Sequence, residues 1–242
     1  MQNCVHGELT HVPCLFIFGD SLSDSGNNNN LPTTVKPNYK PYGIDFPKGQ
    51  QLGFKKFIPP FANIIGSDIL KGVNYASGAA GIREETGKHN LALHNVGARK
   101  LVLVGLGQIG CTPHAIGIHG LCAQKQNNNA LIFSHKLRSR VDKFNIQHLD
   151  SKSIFINSTA GTLDISLGFK VANGPCCPVR SDGMCIRDST PCINRNEYIF
   201  YDGFHPTSAV NYITALTLYD SASNPGTTYP MDIKRLVQHT VI

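Results

Sequence analysis

Ser21 stands where a nucleophile can be held at the edge of a sheet. It follows the apolar run Leu15 to Phe18, which predicts a strand buried on both faces, and the pair Gly19-Asp20, where the chain must turn. A small hydroxyl residue at the end of a buried parallel strand lies at the edge where open α/β sheets bind ligands. Ser21 is therefore a candidate nucleophile; the alternative is a strand and a polar loop with no chemistry.

Asp202 and His205 have the spacing of an acid–base pair. One turn of chain can bring the Asp202 carboxylate against one imidazole nitrogen of His205, so that the other nitrogen faces a nucleophile. A hydroxyl is a poor nucleophile at its ordinary pKa, so a neighbouring base must take its proton, and a carboxylate fixes the tautomer of that base. The alternative is a turn that carries a surface histidine.

Three segments together resemble the plant GDSL esterase/lipases, a branch of the SGNH hydrolases. They are FIFGDSLSDSGNNN from Phe16 to Asn29, NYASGAAGI from Asn74 to Ile82, and Asp202-x-x-His205. The resemblance implies that Ser21 attacks an ester carbonyl, that His205 acts as general base and then acid, and that Asp202 orients His205. It also implies an oxyanion hole formed by the backbone N–H groups of Ser21 and Gly78.

The third block of that family, which contains Gly-x-Asn-Asp, has no counterpart in the 242 residues. Asn95 is followed directly by Val96, and a second stretch near residues 52–57 is shorter than in relatives. The resemblance implies an α/β, three-layer flavodoxin-like fold with a parallel sheet, and we expect this chain to lack one central strand and its flanking helices. The absent Asn is the family's third oxyanion donor, and losing one such donor lowers a rate about 10²- to 10³-fold.

The remaining pattern alternates between strands and helices. Apolar residues three and four apart predict an amphipathic helix over 127–149. Further strands are predicted at 73–76, 154–156 and 197–201, a fully buried strand at 101–105, and further helices at 207–219 and 231–237. Gly105, Gly107 and Gly110 form Gly-x-Gly-x-x-Gly after a strand, but a nucleotide site is disfavoured because Cys111-Thr112-Pro113 interrupts the chain where a helix should begin.

Length and composition indicate one globular domain. With 242 residues, of which 41% are hydrophobic, the chain is long enough for a single α/β domain. We expect an irregular N-terminus at 1–14 and one hydrolase domain at 15–242 with internal deletions near 52–57 and 95–96. The net charge of +6 is spread thinly, which argues against a nucleic-acid partner, and no apolar run is long enough to span a membrane.

The eight cysteines indicate an oxidising compartment. Four of them, at 176, 177, 185 and 192, favour disulfides over zinc, because adjacent cysteines do not supply paired C-x-x-C knuckles. The family's pattern implies one bridge between Cys111 and Cys122 and two bridges among the later four. Asn157-Ser158-Thr159 is a glycosylation sequon.

The resemblance also implies secretion. No signal peptide is evident in Met1 to Pro13, so we expect the sequence to begin after, or apart from, the natural N-terminus.

These observations predict a secreted serine esterase or lipase that hydrolyses small-molecule or lipid esters without a cofactor or a metal. The missing block would lower its activity. The alternative is a non-catalytic protein, a truncated paralogue or misassembled gene model that at most binds a ligand. Ser21, Asp202 and His205 favour the enzyme, whereas the lost Asn and strand favour the alternative. Oligomeric state is left open.

Overall fold

A computed structural model describes residues 12–45, 57–80, 93–160 and 167–240. The chain divides into two compact units: an N-terminal unit, Met1–Tyr42 with Pro47–Ala98, and a C-terminal unit, Gly43–Phe46 with Arg99–Ile242. Most of the irregular N-terminus predicted at 1–14, and most of the deletion predicted near 52–57, lie outside the described residues. The single domain predicted for 15–242 stays a prediction.

The N-terminal unit holds two short parallel strands, β1 (Phe16–Ile17) and β2 (Val73–Asn74), with Phe16 opposite Val73. Two 3-10 helices, Phe61–Asn63 and Gly66–Lys71, come before β2. Val73 is fully buried, but both residues of β1 are half-buried and Phe18 is 56% exposed. The prediction that this strand is buried on both faces is therefore wrong: within the described residues β1 has a single neighbour, β2, and is not enclosed in a wider sheet.

The C-terminal unit begins with a strand–helix–strand arrangement. Strands β3 (Lys100–Val104) and β4 (Lys152–Ile156) are parallel, and β7 (Thr228–Tyr229) is antiparallel to β4. Between β3 and β4 the chain forms α1 (Pro113–His119) and α2 (Gln124–Gln147). The buried positions of α2 include Ala130, Val141 and Phe144, which confirms the predicted amphipathic helix and its apolar stripe.

The rest of this unit consists of a second small sheet, two helices and the disulfides. Strand β5 (Val171–Pro175) pairs in parallel with β6 (Tyr198–Phe200), and helices α3 (Ser208–Tyr219) and α4 (Ile233–Gln238) follow. Short 3-10 helices lie at Ile109–Cys111, Arg195–Glu197 and Ser221–Ser223.

The disulfide pattern that the resemblance implies is confirmed. The structure contains the disulfides Cys111–Cys122, Cys176–Cys192 and Cys177–Cys185. No helix among the described residues is both long and apolar enough to cross a bilayer.

The architecture is mixed α/β with parallel strand pairs, as predicted, although the strands of the described residues form three separate sheets. The prediction that β3 is fully buried is wrong. Val102 and Val104 on one face are 44% and 57% exposed, whereas Ile154 and Ile156, beside them on β4, are buried. This face of the sheet is therefore buried at β4 and open to solvent at β3, which is the edge strand of this sheet in the described part of the chain.

The glycines of the Gly-x-Gly-x-x-Gly segment serve packing. A Cβ on Gly105 would lie 2.9 Å from the Phe155 ring and 2.9 Å from Ser134 Oγ of α2. A Cβ on Gly110 would lie 2.3 Å from the carbonyl oxygen of Ala123, just before α2. The end of β3 and the loop after it therefore approach α2 closely, which accounts for glycine at both positions without a nucleotide.

This packing predicts that Gly105→Ala lowers the free energy of unfolding by about 1–3 kcal/mol, as overpacking of a filled core does. Gly117→Ala is the matched control, because a Cβ at Gly117 in α1 meets nothing within 4 Å. Chemical denaturation followed by circular dichroism measures both variants. Equal stability of the two variants would contradict the close approach of β3 to α2.

Candidate active site

Asp202 and His205 lie on a tight turn that follows β6. The N–H of Tyr201 donates to the carbonyl oxygen of His205 at 2.8 Å, which closes the turn. Asp202 Oδ1 accepts from the N–H groups of Phe204 and His205, both at 2.8 Å. An aspartate that bonds to the backbone two and three residues ahead is a common way to fix such a turn. The same side chain thereby builds the turn and stands in the candidate site.

The turn brings the two predicted side chains into contact. Nδ1 of His205 lies 3.0 Å from Oδ1 and 2.9 Å from Oδ2 of Asp202. A carboxylate only accepts hydrogen bonds, so it selects the tautomer with the proton on Nδ1 and the lone pair on Nε2. Asp202 is fully buried, while the His205 side chain is 21% exposed. This geometry is that of a base oriented from behind by a carboxylate.

Tyr201, which precedes Asp202, is buried and does not compete with His205 as a base. Burial raises the pKa of Tyr201 to about 12, and the Asp45 carboxylate also raises it. Arg195, which pairs with Asp45 at 2.9 Å, acts in the opposite direction. At neutral pH Tyr201 therefore stays a neutral phenol.

Ser21 lies in the N-terminal unit, in the turn after β1. The N–H of Ser23 donates to the carbonyl oxygen of Asp20 at 3.2 Å, and the N–H of Leu22 donates to Asp20 Oδ1 at 3.0 Å. Ser21 is half-buried within this turn. The strand ends at Ile17, and the N–H of Ser77 donates to the carbonyl oxygen of Gly19 at 3.1 Å. The serine turn is thus tied to the loop after β2.

Gly78, the predicted second oxyanion donor, lies in that loop. Its N–H donates to Asp24 Oδ2 at 2.7 Å, while Asp24 Oδ1 accepts from the N–H groups of Gly26 and Asn27. A Cβ on Gly78 would lie 2.5 Å from Nδ2 of the buried Asn28, so the loop requires glycine here. For the Gly78 N–H to bind an oxyanion, its bond to Asp24 must be shared or broken.

The side chains of Asn27, in the polar stretch after Ser21, and of Asn74, in β2, hold these two loops together. Asn27 Nδ2 donates to the carbonyl oxygens of Asn74 and Ala76, both at 2.7 Å, and its Oδ1 accepts from the N–H of Ala62. Asn74 Nδ2 in turn donates to the carbonyl oxygen of Ser23. The signal that could have revealed this role is the asparagine run directly after the Gly-Asp-Ser turn, because amide side chains can satisfy backbone groups that no strand pairs.

Asp24→Ala removes the acceptor of three backbone N–H groups, and we expect it to lower the free energy of unfolding by about 1–3 kcal/mol. Asp68→Ala is the control, because Asp68 is an exposed carboxylate that pairs with Lys71 and exposed pairs add little. Denaturation curves of the two variants and of the wild type are compared. An Asp24→Ala variant as stable as the control would contradict the role of Asp24 as a bridge between the loops.

The structure brings together only part of the predicted site within one unit. Asp202 and His205 are in contact in the C-terminal unit, whereas Ser21 and Gly78 lie in the N-terminal unit. The complete triad and the oxyanion hole therefore stay predictions.

The glycosylation sequon follows β4, and there the Thr159 hydroxyl donates to Asn157 Oδ1 at 2.7 Å.

Comparison with known proteins identifies the family. The family model for the GDSL-like lipase/acylhydrolase matches residues 85–217, which include Asp202 and His205. The GDSL esterase/lipase At1g29670 of Arabidopsis thaliana is 34% identical in an alignment of 334 positions that covers 94% of this chain and 92% of that protein. The Arabidopsis thaliana GDSL esterase/lipase At1g33811 is 32% identical, and its alignment covers 95% of this chain and 92% of that protein. The GDSL esterase/lipase At1g29660 of the same organism is also 32% identical, with 94% of this chain and 92% of that protein covered. The chain belongs to the GDSL-like lipase/acylhydrolase family.

Proposed function

We propose that the chain is a serine ester hydrolase of the GDSL type, acting on small-molecule or lipid esters. Ser21 attacks the ester carbonyl, His205 takes the serine proton through Nε2 and returns it to the leaving alcohol, and Asp202 holds the His205 ring. The N–H groups of Ser21 and Gly78 stabilise the oxyanion. The acyl-enzyme is then hydrolysed by water with His205 as base.

The observation that carries this proposal is the Asp202–His205 pair, whose Nδ1–carboxylate distances are those that the reaction requires. Family membership and the relatives named as esterase/lipases support the same activity. Ser21 lies in the turn from Asp20 to Ser23, which follows the parallel strand β1 and Gly19.

Two observations favour the alternative, a non-catalytic truncated paralogue or misassembled gene model that at most binds a ligand. The alignment with the first relative extends over 334 positions, more than the 242 residues of this chain, so some of its positions have no counterpart here. The exposed Val102 and Val104 on β3 are likewise what the absence of a covering element would leave. We propose that the missing positions include a deletion near residues 95–96, shortly before β3.

Hydrolysis of p-nitrophenyl esters from acetate to palmitate tests the proposal. We expect turnover above background, lower than in full-length relatives because the third oxyanion donor is missing. The variant Ser21→Ala, measured beside it, defines the background. Folded protein that hydrolyses none of these esters faster than Ser21→Ala contradicts the proposed activity.

We also propose that the protein is secreted and carries a glycan on Asn157. The three disulfides of the C-terminal unit support passage through an oxidising compartment. Expression in a plant host, followed by removal of N-glycans, is expected to lower the apparent mass of the wild type but not of Asn157→Gln. An identical mass before and after treatment contradicts glycosylation at this site.

A further inference from the structure

A small hairpin of the C-terminal unit reaches the turn that carries Asp202 and His205. Val179 and Cys185 form an antiparallel bridge, the N–H of Arg180 donates to the carbonyl oxygen of Met184 at 2.8 Å, and the tip contains Gly183. The buried disulfide Cys177–Cys185 closes its base. This segment, 179–185, is called the tip hairpin below.

The tip hairpin contacts the residue that follows Asp202. The N–H of Gly203 donates to the carbonyl oxygen of Gly183 at 2.8 Å, and the carbonyl oxygen of Gly203 accepts from the N–H of His114 at 3.0 Å. A Cβ on Gly203 would lie 2.7 Å from the Gly183 carbonyl oxygen. The peptide next to Asp202 is thus hydrogen-bonded on one side to the tip hairpin and on the other to α1.

The side chain of Phe204 completes this contact. Its ring lies 4.6 Å from the His114 ring, measured between centroids. A Cβ on Gly183 would lie 2.6 Å from Phe204 Cε2 and 2.9 Å from His114 Nδ1. Gly183 therefore fits between two rings, and both residues that separate Asp202 from His205 are held by elements other than their own turn.

We propose that the tip hairpin and His114 are positioning elements for the Asp202–His205 pair. In this role they fix Gly203 and Phe204, and through them the turn on which both side chains stand. A displacement of about 1 Å at a catalytic group can lower a rate about 10²-fold. As a proposal about catalysis it rests on the proposed function, but the geometry it concerns can be measured without any turnover.

Gly183→Ala tests the proposal, with Gly168→Ala as its matched control. Both glycines have a positive φ, 81° and 91°, so both variants carry backbone strain. Only the Cβ at residue 183 meets neighbours, because the one at residue 168 has nothing within 4 Å. We expect Gly183→Ala to lower kcat about 10- to 100-fold, with KM changed less than about twofold. A folded Gly183→Ala variant with intact disulfides and the kcat of the control overturns the proposal.

The Nδ1 proton of His205 provides the second measurement. A hydrogen bond to a carboxylate shifts this proton downfield in NMR spectra, and its signal is assigned by its loss in His205→Gln. We expect the signal to move or disappear in Gly183→Ala and to be unchanged in Gly168→Ala. If the wild type hydrolyses no ester, the proposed function fails while this signal still decides the positioning role. An unchanged signal in Gly183→Ala overturns the positioning role, whatever the activity.

His114→Ala removes atoms from the contact instead of adding them, and so tests the proposal in case Gly183→Ala does not fold. His114→Ala removes the ring against Phe204 but keeps the backbone N–H that binds Gly203, and we expect kcat about tenfold lower and an altered His205 signal. His114→Phe keeps an aromatic ring and is expected to restore both. If His114→Ala behaves as the wild type, or if His114→Phe fails to restore what His114→Ala loses, the role of His114 as a packing residue is overturned.

Discussion

Replacing Ser21 with alanine is expected to lower kcat for ester hydrolysis by about 10⁴- to 10⁶-fold, to the level that binding and oxyanion stabilisation alone provide. His205→Ala is expected to lower it to the same level, because without the base the serine hydroxyl is not activated. The double variant should be no slower than either single variant, since the two residues act as a unit. Initial rates with a p-nitrophenyl ester provide the measurement.

The controls are residues of the same type close by. Ser23 is exposed in the same turn as Ser21, and His119 is an exposed histidine at the end of α1. Ser23→Ala and His119→Ala are expected to stay within about twofold of the wild type, as substitutions of exposed side chains away from the site usually do. A Ser21→Ala variant that retains more than a tenth of the wild-type kcat would contradict the assignment of Ser21 as nucleophile.

Asp202→Asn is expected to lower kcat by about 10⁴-fold while the fold is kept. The amide oxygen can still accept from the N–H groups of Phe204 and His205, so the turn remains closed. The amide nitrogen can only donate, however, and facing His205 it selects the tautomer with the proton on Nε2. That nitrogen then has no lone pair with which to take the serine proton.

The matched control for this prediction is Asp68→Asn. Asp68 is an exposed carboxylate that pairs with Lys71, and its isosteric amide is expected to leave kcat within about twofold of the wild type. Circular dichroism and the thermal midpoint establish that both variants are folded. A loss of less than tenfold in folded Asp202→Asn would show that the carboxylate does not orient the base.

The part of the site that the sequence predicts best is the part built by local spacing. Asp202 and His205 meet because the aspartate bonds to the backbone two and three residues ahead, an interaction made between residues close together in the sequence. Helix α2 was likewise predictable, because the stripe through Ala130, Val141 and Phe144 needs only one apolar surface to pack against.

Features that depend on distant partners were not predictable from the pattern. Val102 and Val104 on β3 are exposed because no element packs over them in the described residues. An unbroken apolar run predicts a buried strand whether that strand is central or at an edge. The bond from Gly78 to Asp24 joins residues 54 positions apart, and the contact between Gly183 and Gly203 joins two glycines in different loops. Neither pair has a periodicity that the sequence displays.

The engagement of Gly78 by Asp24 bears on catalytic power. The sequence contains no Gly-x-Asn-Asp segment, and the N–H of Gly78 already donates to a carboxylate at 2.7 Å. Of the two oxyanion donors that the resemblance assigns to this chain, the N–H of Gly78 must therefore leave or share its bond to Asp24 before it can bind the oxyanion. We therefore expect acylation to be slow compared with that in relatives that keep the third block.

Labelling with a fluorophosphonate probe, followed by peptide mass analysis, tests the central claim most directly. The probe phosphonylates an activated serine and requires no knowledge of the natural substrate. We predict covalent modification at Ser21 that is absent from Ser21→Ala and His205→Ala and present in Ser23→Ala. Protein that is folded by circular dichroism but carries no label at Ser21 would contradict the proposed triad.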